Sequence, residues 1–381
     1  MREGWVETTF GDIFKIVAGK YVAKEEYVEG GEFWIYGSNS IMGKIDRFLV
    51  EQSHVVMAAI GAYAGAVRYS KEPSWINNNA MALVPSEKVM AKYLHLWLES
   101  KFDLKRVVVG TGQPYVQRPL LLKELIALPP LPEQKRIVDL ISSVDSYIKA
   151  LEHQLVSARS ASNAQLEKII SEFNDDWVEV ALGEVLEISR GGSPRPIQEY
   201  LTDSQDGINW VKIADATRSE KYIYSTLQKI KKEGISRSRE VFSGDFILSN
   251  SMSFGRPYIM RTDGCIHDGW LLLSKVSNRF DEDFLYNLLN SNYVQRQFES
   301  MAAGSGVRNL NIEVVKKVKV KIPTIEVQKE LASVINEFDN FIIKLTRQLH
   351  SGMDLRQALL SDLLSGDHEI PASYDKVIGA A

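Results

Sequence analysis

Between Ile137 and Ala158 the apolar residues fall at Ile141, Val144, Ile148, Leu151, Leu155 and Ala158, in alternating steps of four and three. That spacing draws one stripe along an α-helix, the seam of a coiled coil. The same ladder recurs at Leu331, Ile335, Phe338, Ile342, Leu345 and Leu349. Prolines precede both segments (Pro129, Pro130, Pro132; Pro323), and Glu133 and Glu326 place an acid in each first turn, where the helix dipole favours it. Gly366 followed by Pro371 stops the second. Each helix spans about 40 residues, a rod on the order of 60 Å. A rod with one apolar stripe cannot stay exposed, and its cheapest partner is the other copy in the same chain. Globular units at opposite ends then require the helices to run antiparallel, which gives an internal pseudo-twofold. Two unrelated helices docked on separate cores would leave the matched registers unexplained.

The helices are the most legible part of a longer repeat. The segment from Leu128 aligns without a gap on the segment from Ile322 at a constant offset of 194, with nine of 28 positions identical. Gly110-Thr111-Gly112 sits on Gly304-Ser305-Gly306 at the same offset, and WVETTFGDIFKI from Trp5 matches WVEVALGEVLEI from Trp177 at offset 172. Each copy is therefore a globular unit followed by a long helix. The second unit is 22 residues longer, and a match of Tyr93-Leu94 on Phe284-Leu285 puts 19 of them between Trp177 and Phe284. Ends are shared while the middle diverges, as in a frame that reads two different targets.

Outside the helices the pattern is mixed. Short β-rich runs (Val55 to Ile60, Phe246 to Ser249, Leu271 to Val276, Val318 to Ile322) alternate with turns and with short helices near Tyr93 to Glu99 and Phe284 to Asn290. The predicted fold class is α+β: two globular α/β domains separated by two long antiparallel helices forming a coiled coil. The boundaries are 1–130 for the first domain, 131–175 for the first helix, 176–323 for the second domain, 324–366 for the second helix and 367–381 for a tail.

With 381 residues, 45% hydrophobic and 25% charged, the chain can build two cores. Its one cysteine excludes a disulfide framework, and MREGWVETTF offers no apolar signal segment. No apolar run approaches the roughly 20 residues that span a bilayer, so the expected location is the cytoplasm. A net charge of -4 argues against gripping a polyanion by bulk electrostatics. Its distribution says more. Residues 1–128 hold 15 basic and 14 acidic side chains and residues 177–322 hold 20 and 18, whereas the helix-bearing segments hold 5 against 8 and 5 against 9. Any nucleic acid faces the globular units, and partner subunits must supply much of the phosphate grip.

Candidate contacts sit in loops dense in groups that suit base edges and phosphates. In the first unit these are Ser38 and Asn39, Tyr63, Asn78, and then Thr111, Gln113, Tyr115, Gln117 and Arg118 of the glycine loop. In the second they are Arg190, Ser193 and Arg195, Asn250, Ser253 and Arg256, and Ser305, Arg308 and Asn309. Each taken singly also reads as a turn, because turns use the same residues. The run Lys229 to Arg239 reads as a solvated face or a phosphate contact, and Lys316, Lys317, Lys319 and Lys321 as the wet side of a strand. There is no GxxxxGK[ST], no Cys/His metal cluster, no nucleophile motif and no Asn-Pro-Pro-aromatic signature, and His267-Asp268 stands alone. Any chemistry belongs to another chain.

Two units opening with W-V-E...G-[DE], closing with a Gly-Thr/Ser-Gly loop and joined through LPPLPEQKRIV to a long helix resemble the specificity subunit of type I restriction-modification systems. The resemblance covers essentially the whole chain and includes QALLSDLLSG at Gln357 to Gly366. The second junction departs from it, with Glu326-Val327 replacing Pro132-Glu133. The resemblance implies that each globular unit is a target recognition domain reading half of a bipartite double-stranded DNA sequence, with the helices as a spacer. It implies two methyltransferase subunits and restriction/translocase subunits as partners, with S-adenosylmethionine, ATP and Mg bound by those partners and no cofactor or metal in this chain. The competing class is a two-headed coiled-coil scaffold that binds proteins or glycans.

Overall fold

In a computed structural model, residues 2–171, 176–217, 221–250, 254–276, 279–303 and 309–378 are described. The chain divides into two units, residues 1–152 with 347–381, and residues 153–346.

The first unit opens with Val6–Thr9 paired antiparallel to Leu125–Leu128, so the domain's start and finish lie side by side. Between them is a four-stranded antiparallel sheet in the order Phe14–Ala18, Ala80–Pro85, His54–Ala58, Val67–Ser70. A three-stranded sheet of Ile41–Ile45, Phe33–Tyr36 and Ser74–Ile76 adds to it, and Val108–Val109 pairs with Tyr115–Val116 on either side of the glycine loop. The strand at His54 and the one at Ala80 are buried along both faces, which explains their nearly unbroken apolar runs. The helix Ala91–Ser100 buries Tyr93, Leu94, Leu96 and Leu98 in the same core.

The second unit repeats this frame. Val178–Ala181 pairs with Lys319–Ile322. Glu187–Arg190, Trp270–Ser274, Phe246–Ser249 and Pro257–Met260 follow the same strand order, with Tyr222–Ile223 added at the edge. The other sheet gains Leu201–Thr202 at one edge and Arg239–Val241 at the other. There the first unit has a single bridge, Val50 with Ser74. Lengthening of the middle therefore went into sheet edges and left the inner strands in place. Lys316 and Lys317 correct the alternating-strand reading: they end a short helix, Ile312–Lys317, and the strand holds only Lys319 and Lys321. Asn311 caps that helix through its side chain and stops the strand from starting earlier.

The long helices run Leu131–Ser171 and Ile325–Ser365, 41 residues each. Gly366, at φ +79°, supplies the left-handed turn that ends the second. In the first unit, Ile137, Val138 and Ile141 share a core with Leu360, Leu363 and Leu364, while Asp145 meets Arg356 and Ile148 lies beside Gly352. One helix ascends as the other descends. In the second unit the roles exchange: Leu166, Ile169 and Ile170 pack with Leu331, Ala332 and Ile335. All ten seam residues (Ile141, Val144, Ile148, Leu151, Leu155; Ile335, Phe338, Ile342, Leu345, Leu349) are buried or half-buried. Complete burial of such a side chain contributes roughly 1.5–3 kcal/mol.

A single residue type fixes each helix to its domain. Gln134 and Gln328 are both fully buried. Gln134 Oε1 accepts from Met90 N at 2.9 Å, and its Nε2 donates to Lys88 O at 3.0 Å and Pro129 O at 2.9 Å. Gln328 accepts from Asp281 N at 2.8 Å and donates to Arg279 O at 3.1 Å and Pro323 O at 3.0 Å. Only an amide, one acceptor with two donors, satisfies all three backbone groups at once.

Candidate nucleic-acid interface

Four loops of the first unit meet on one face. They are residues 37–40, 59–66, 77–79 and 110–114, and backbone hydrogen bonds knit them together. Asn77 N donates to Tyr36 O at 2.8 Å, Ala59 N to Asn79 O at 2.9 Å, Gly61 N to Pro114 O at 2.8 Å and Val116 N to Ala59 O at 2.9 Å. Arg68 reaches up from its strand to donate to the carbonyls of Ser38, at 3.2 Å, and Asn39. With the backbone groups spent on each other, the side chains are left outward: Asn39, Tyr63, Asn78, Thr111, Gln113 and Tyr115 are exposed and Ser38 is half-exposed. The structure thus gathers seven of the residues singled out in the first unit. Gln117 and Arg118 lie past the knot, where Gln117 N bonds Val107 O and Arg118 opens the short helix Arg118–Lys123.

The second unit reuses the skeleton with different side chains. Asn250 N donates to Gly269 O at 3.0 Å and Leu310 N to Asn250 O at 2.8 Å, repeating the bonds at Ala59 and Val116. Gly191 N bonds Trp270 O as Gly19 N bonds Ala80 O. A Cβ on Gly19 would come 2.0 Å from Asn77 O, and one on Gly191 2.0 Å from His267 O. Both positions admit only glycine.

Asp268 organises this face, a role that sequence reading missed. Its Oδ1 accepts from Ser193 Oγ at 2.7 Å, its Oδ2 lies 3.5 Å from Arg195, and its carbonyl accepts from Arg190 Nε at 3.1 Å and Asn250 Nδ2 at 2.8 Å. The Ser193 hydrogen bond holds its carboxyl below the usual range, so it is charged at neutral pH. Burial pushes the adjacent His267 down. Asn250 needs correction as a contact. It is 3% exposed and its amide is spent on Asp268, so it is a strut under the face. Arg256 is exposed, 5.2 Å from the Tyr258 ring, while Asn309 is half-buried with an unpartnered Oδ1. Ser253, Ser305 and Arg308 lie outside the described residues.

A cleft opens at the same place on each face. The first, about 700 Å³, is lined by Ser38, Ser40, Asn39 and Asn77 to Asn79, with Lys24 its sole cation among the lining residues. The second, about 890 Å³, is lined by Ser193, Arg195, Gln198, Lys212, Gln228 and His267. The run at Lys229 turns inward to its own domain: Lys229 Nζ donates to Gln205 O and Lys231 Nζ to Glu199 O. Among the described residues no group of His, Cys, Asp or Glu could hold a metal ion, and no helix is long and apolar enough to cross a membrane.

Residues 2–157 and 174–352 match the family model of the type I restriction modification DNA specificity domain. The chain belongs to that family. The specificity subunit MjaVIII of Methanocaldococcus jannaschii is 24% identical, over 96% of this chain and 93% of its own length. Among solved structures, the S subunit of the type I restriction-modification system from M. genitalium superposes with a TM-score of 0.60 at 16% identity, covering 94% of this chain and 96% of that one. A chain from a structure on complex assembly and conformational transition of the type I R-M system gives a TM-score of 0.63 at 16% identity, covering 97% and 99%. Both likenesses extend over the two specificity domains and the long helices. Family membership sets aside the two-headed scaffold as the competing class.

Proposed function

We propose that this chain is the address-reading subunit of a type I restriction-modification complex and performs no chemistry itself. The observation that carries the reading is the pair of loop faces: one backbone skeleton, built twice, presenting amides and hydroxyls in one unit and, in the other, Asp268 with Ser193 and Arg195 at its carboxylate and Arg190 on its carbonyl. Residues 1–130 and 176–323 are in this reading two recognition domains, each facing one half of an asymmetric bipartite target. Residues 131–175 and 324–366 set the spacing between the halves.

The helices also suit two partner subunits of one kind. Tyr147 and Phe341, at the offset of 194, each stand half exposed on the outward face. Methyltransferase subunits are the proposed occupants, with restriction/translocase subunits completing the assembly and S-adenosylmethionine, ATP and Mg bound by the partners. The near balance of charge makes the isolated chain a weak DNA binder whose affinity is completed by those partners.

The test is methylome sequencing of cells expressing the chain with its methyltransferase, before and after residues 1–130 are replaced by another recognition domain. One bipartite motif with one half changed is the expected result. A change in both halves defeats the modular reading.

A further inference from the structure

The turn 77–79 and the turn 267–269 are the same structural position. Each is pinned at its first residue by the close approach of a glycine, Gly19 or Gly191, and at its third by a backbone bond, to Ala59 N or to Asn250 N. The middle residue is thus held at the tip of a rigid turn, and it is Asn78 in one unit and Asp268 in the other. Beside Asn78 the cleft offers Asn39, Asn79 and serines, with Lys24 as the one charged side chain in its lining. Lys24 suits a backbone phosphate, while the exposed planar amide of Asn78 pairs a donor and an acceptor against the N6/N7 edge of adenine. Beside Asp268 stands Arg195, 79% exposed, with Lys212 lining the same cleft. The Asp268 carboxylate, 3.5 Å from one guanidinium nitrogen, biases the fork toward this face and leaves its other N–H groups free. A fork so presented matches the O6/N7 edge of guanine.

We propose that the two equivalent turns read different purines: Asn78 an adenine in the half-site of the first domain, and Arg195, oriented by Asp268, a guanine in the half-site of the second. This rests on the reading of the chain as a DNA specificity subunit. It adds which base class each domain recognises and through which side chain.

The experiment expresses the full chain with its methyltransferase and sequences the methylome for wild type, Asn78→Ala, Asn78→Asp and Arg195→Ala. Asn78→Ala is expected to relax one A·T position in the half-site assigned by the domain replacement, with discrimination falling roughly 10- to 100-fold. Arg195→Ala relaxes one G·C position in the other half-site. Asn78→Asp moves its position toward cytosine, whose N4 donates to a carboxylate, and so decides the matter if the alanine variant methylates nothing. The proposal is overturned if a position of the opposite base type relaxes, if Asn78→Asp leaves the parental motif, or if methylation falls uniformly with the motif intact, which marks a phosphate contact. A wild-type chain that directs no bipartite motif would instead overturn the underlying functional reading.

Discussion

The junction of helix and domain is built twice, and the two versions agree at one residue and part at the next. Gln134 and Gln328 make the same three bonds. One step earlier, Glu133 accepts from Arg2 at 2.7 Å and from the Trp5 indole at 3.2 Å, whereas its counterpart is Val327. Farther along, Arg356 joins Asp145 at 2.5 Å and Glu99 at 3.3 Å, beside the half-buried His95. The matching positions in the second unit are Ser162, Asp339, Asn290 and Tyr286, and there a cleft of about 850 Å³ remains. The difference separates what the architecture demands from what each half may vary. Backbone groups must be satisfied identically wherever the chain path is shared, while side-chain ion pairs are local solutions.

That separation can be broken from its strongest point downward. Gln134→Leu and Gln328→Leu each strand three backbone groups, one buried and two part-buried, and should each cost on the order of 2 to 4 kcal/mol in denaturant unfolding. A large loss for one and none for the other would show that the junctions are not equivalent. Glu133→Val gives the first junction the residue of the second. It orphans the indole N–H of Trp5, which is 6% exposed, and should cost about 1 to 3 kcal/mol, whereas Val327→Glu should bring no matching gain. Arg356→Ala should cost about 1 kcal/mol, because its partners are 35% and 44% exposed and solvent screens the pairs.

Acid separates the two units in a different way. Burial lowers His95 to about 4, so its neutral form is the folded one. Its contribution is complete above the unfolded value of about 6.5 and is lost as pH falls from there toward 4. Tyr286 occupies the same place in the second unit and does not titrate in that window. Hydrogen exchange should show the helix Ala91–Ser100 loosening before Glu282–Asn290 on acidification, and the reverse order would contradict the assignment.

Periodicity made the helices and their seam legible, because a stripe at Ile141, Ile148 and Ile335 states its burial directly. The offset made the duplication legible. Sheet edges were not, since Leu201–Thr202 and Arg239–Val241 are short strands with no alternation of their own. Loop chemistry was legible only in part. Asn39 and Asn78 are exposed as expected, but Asn250 has the same composition and faces inward. Arg68 carries no signal in the sequence and Asp268 reads there only as half of a lone His-Asp pair, because they act on backbone carbonyls and on a distant hydroxyl, partners that no local pattern encodes.

The buried glutamine carries a consequence for how such a chain can diversify. Because it ties the domain to the helix entirely through main-chain atoms, it is indifferent to which side chains decorate the far loops. A whole reading head exchanged by recombination, cut at Trp5 or Trp177 and again at the proline junction, arrives with its docking chemistry already matched. New addresses can then arise without re-inventing the scaffold that bears them.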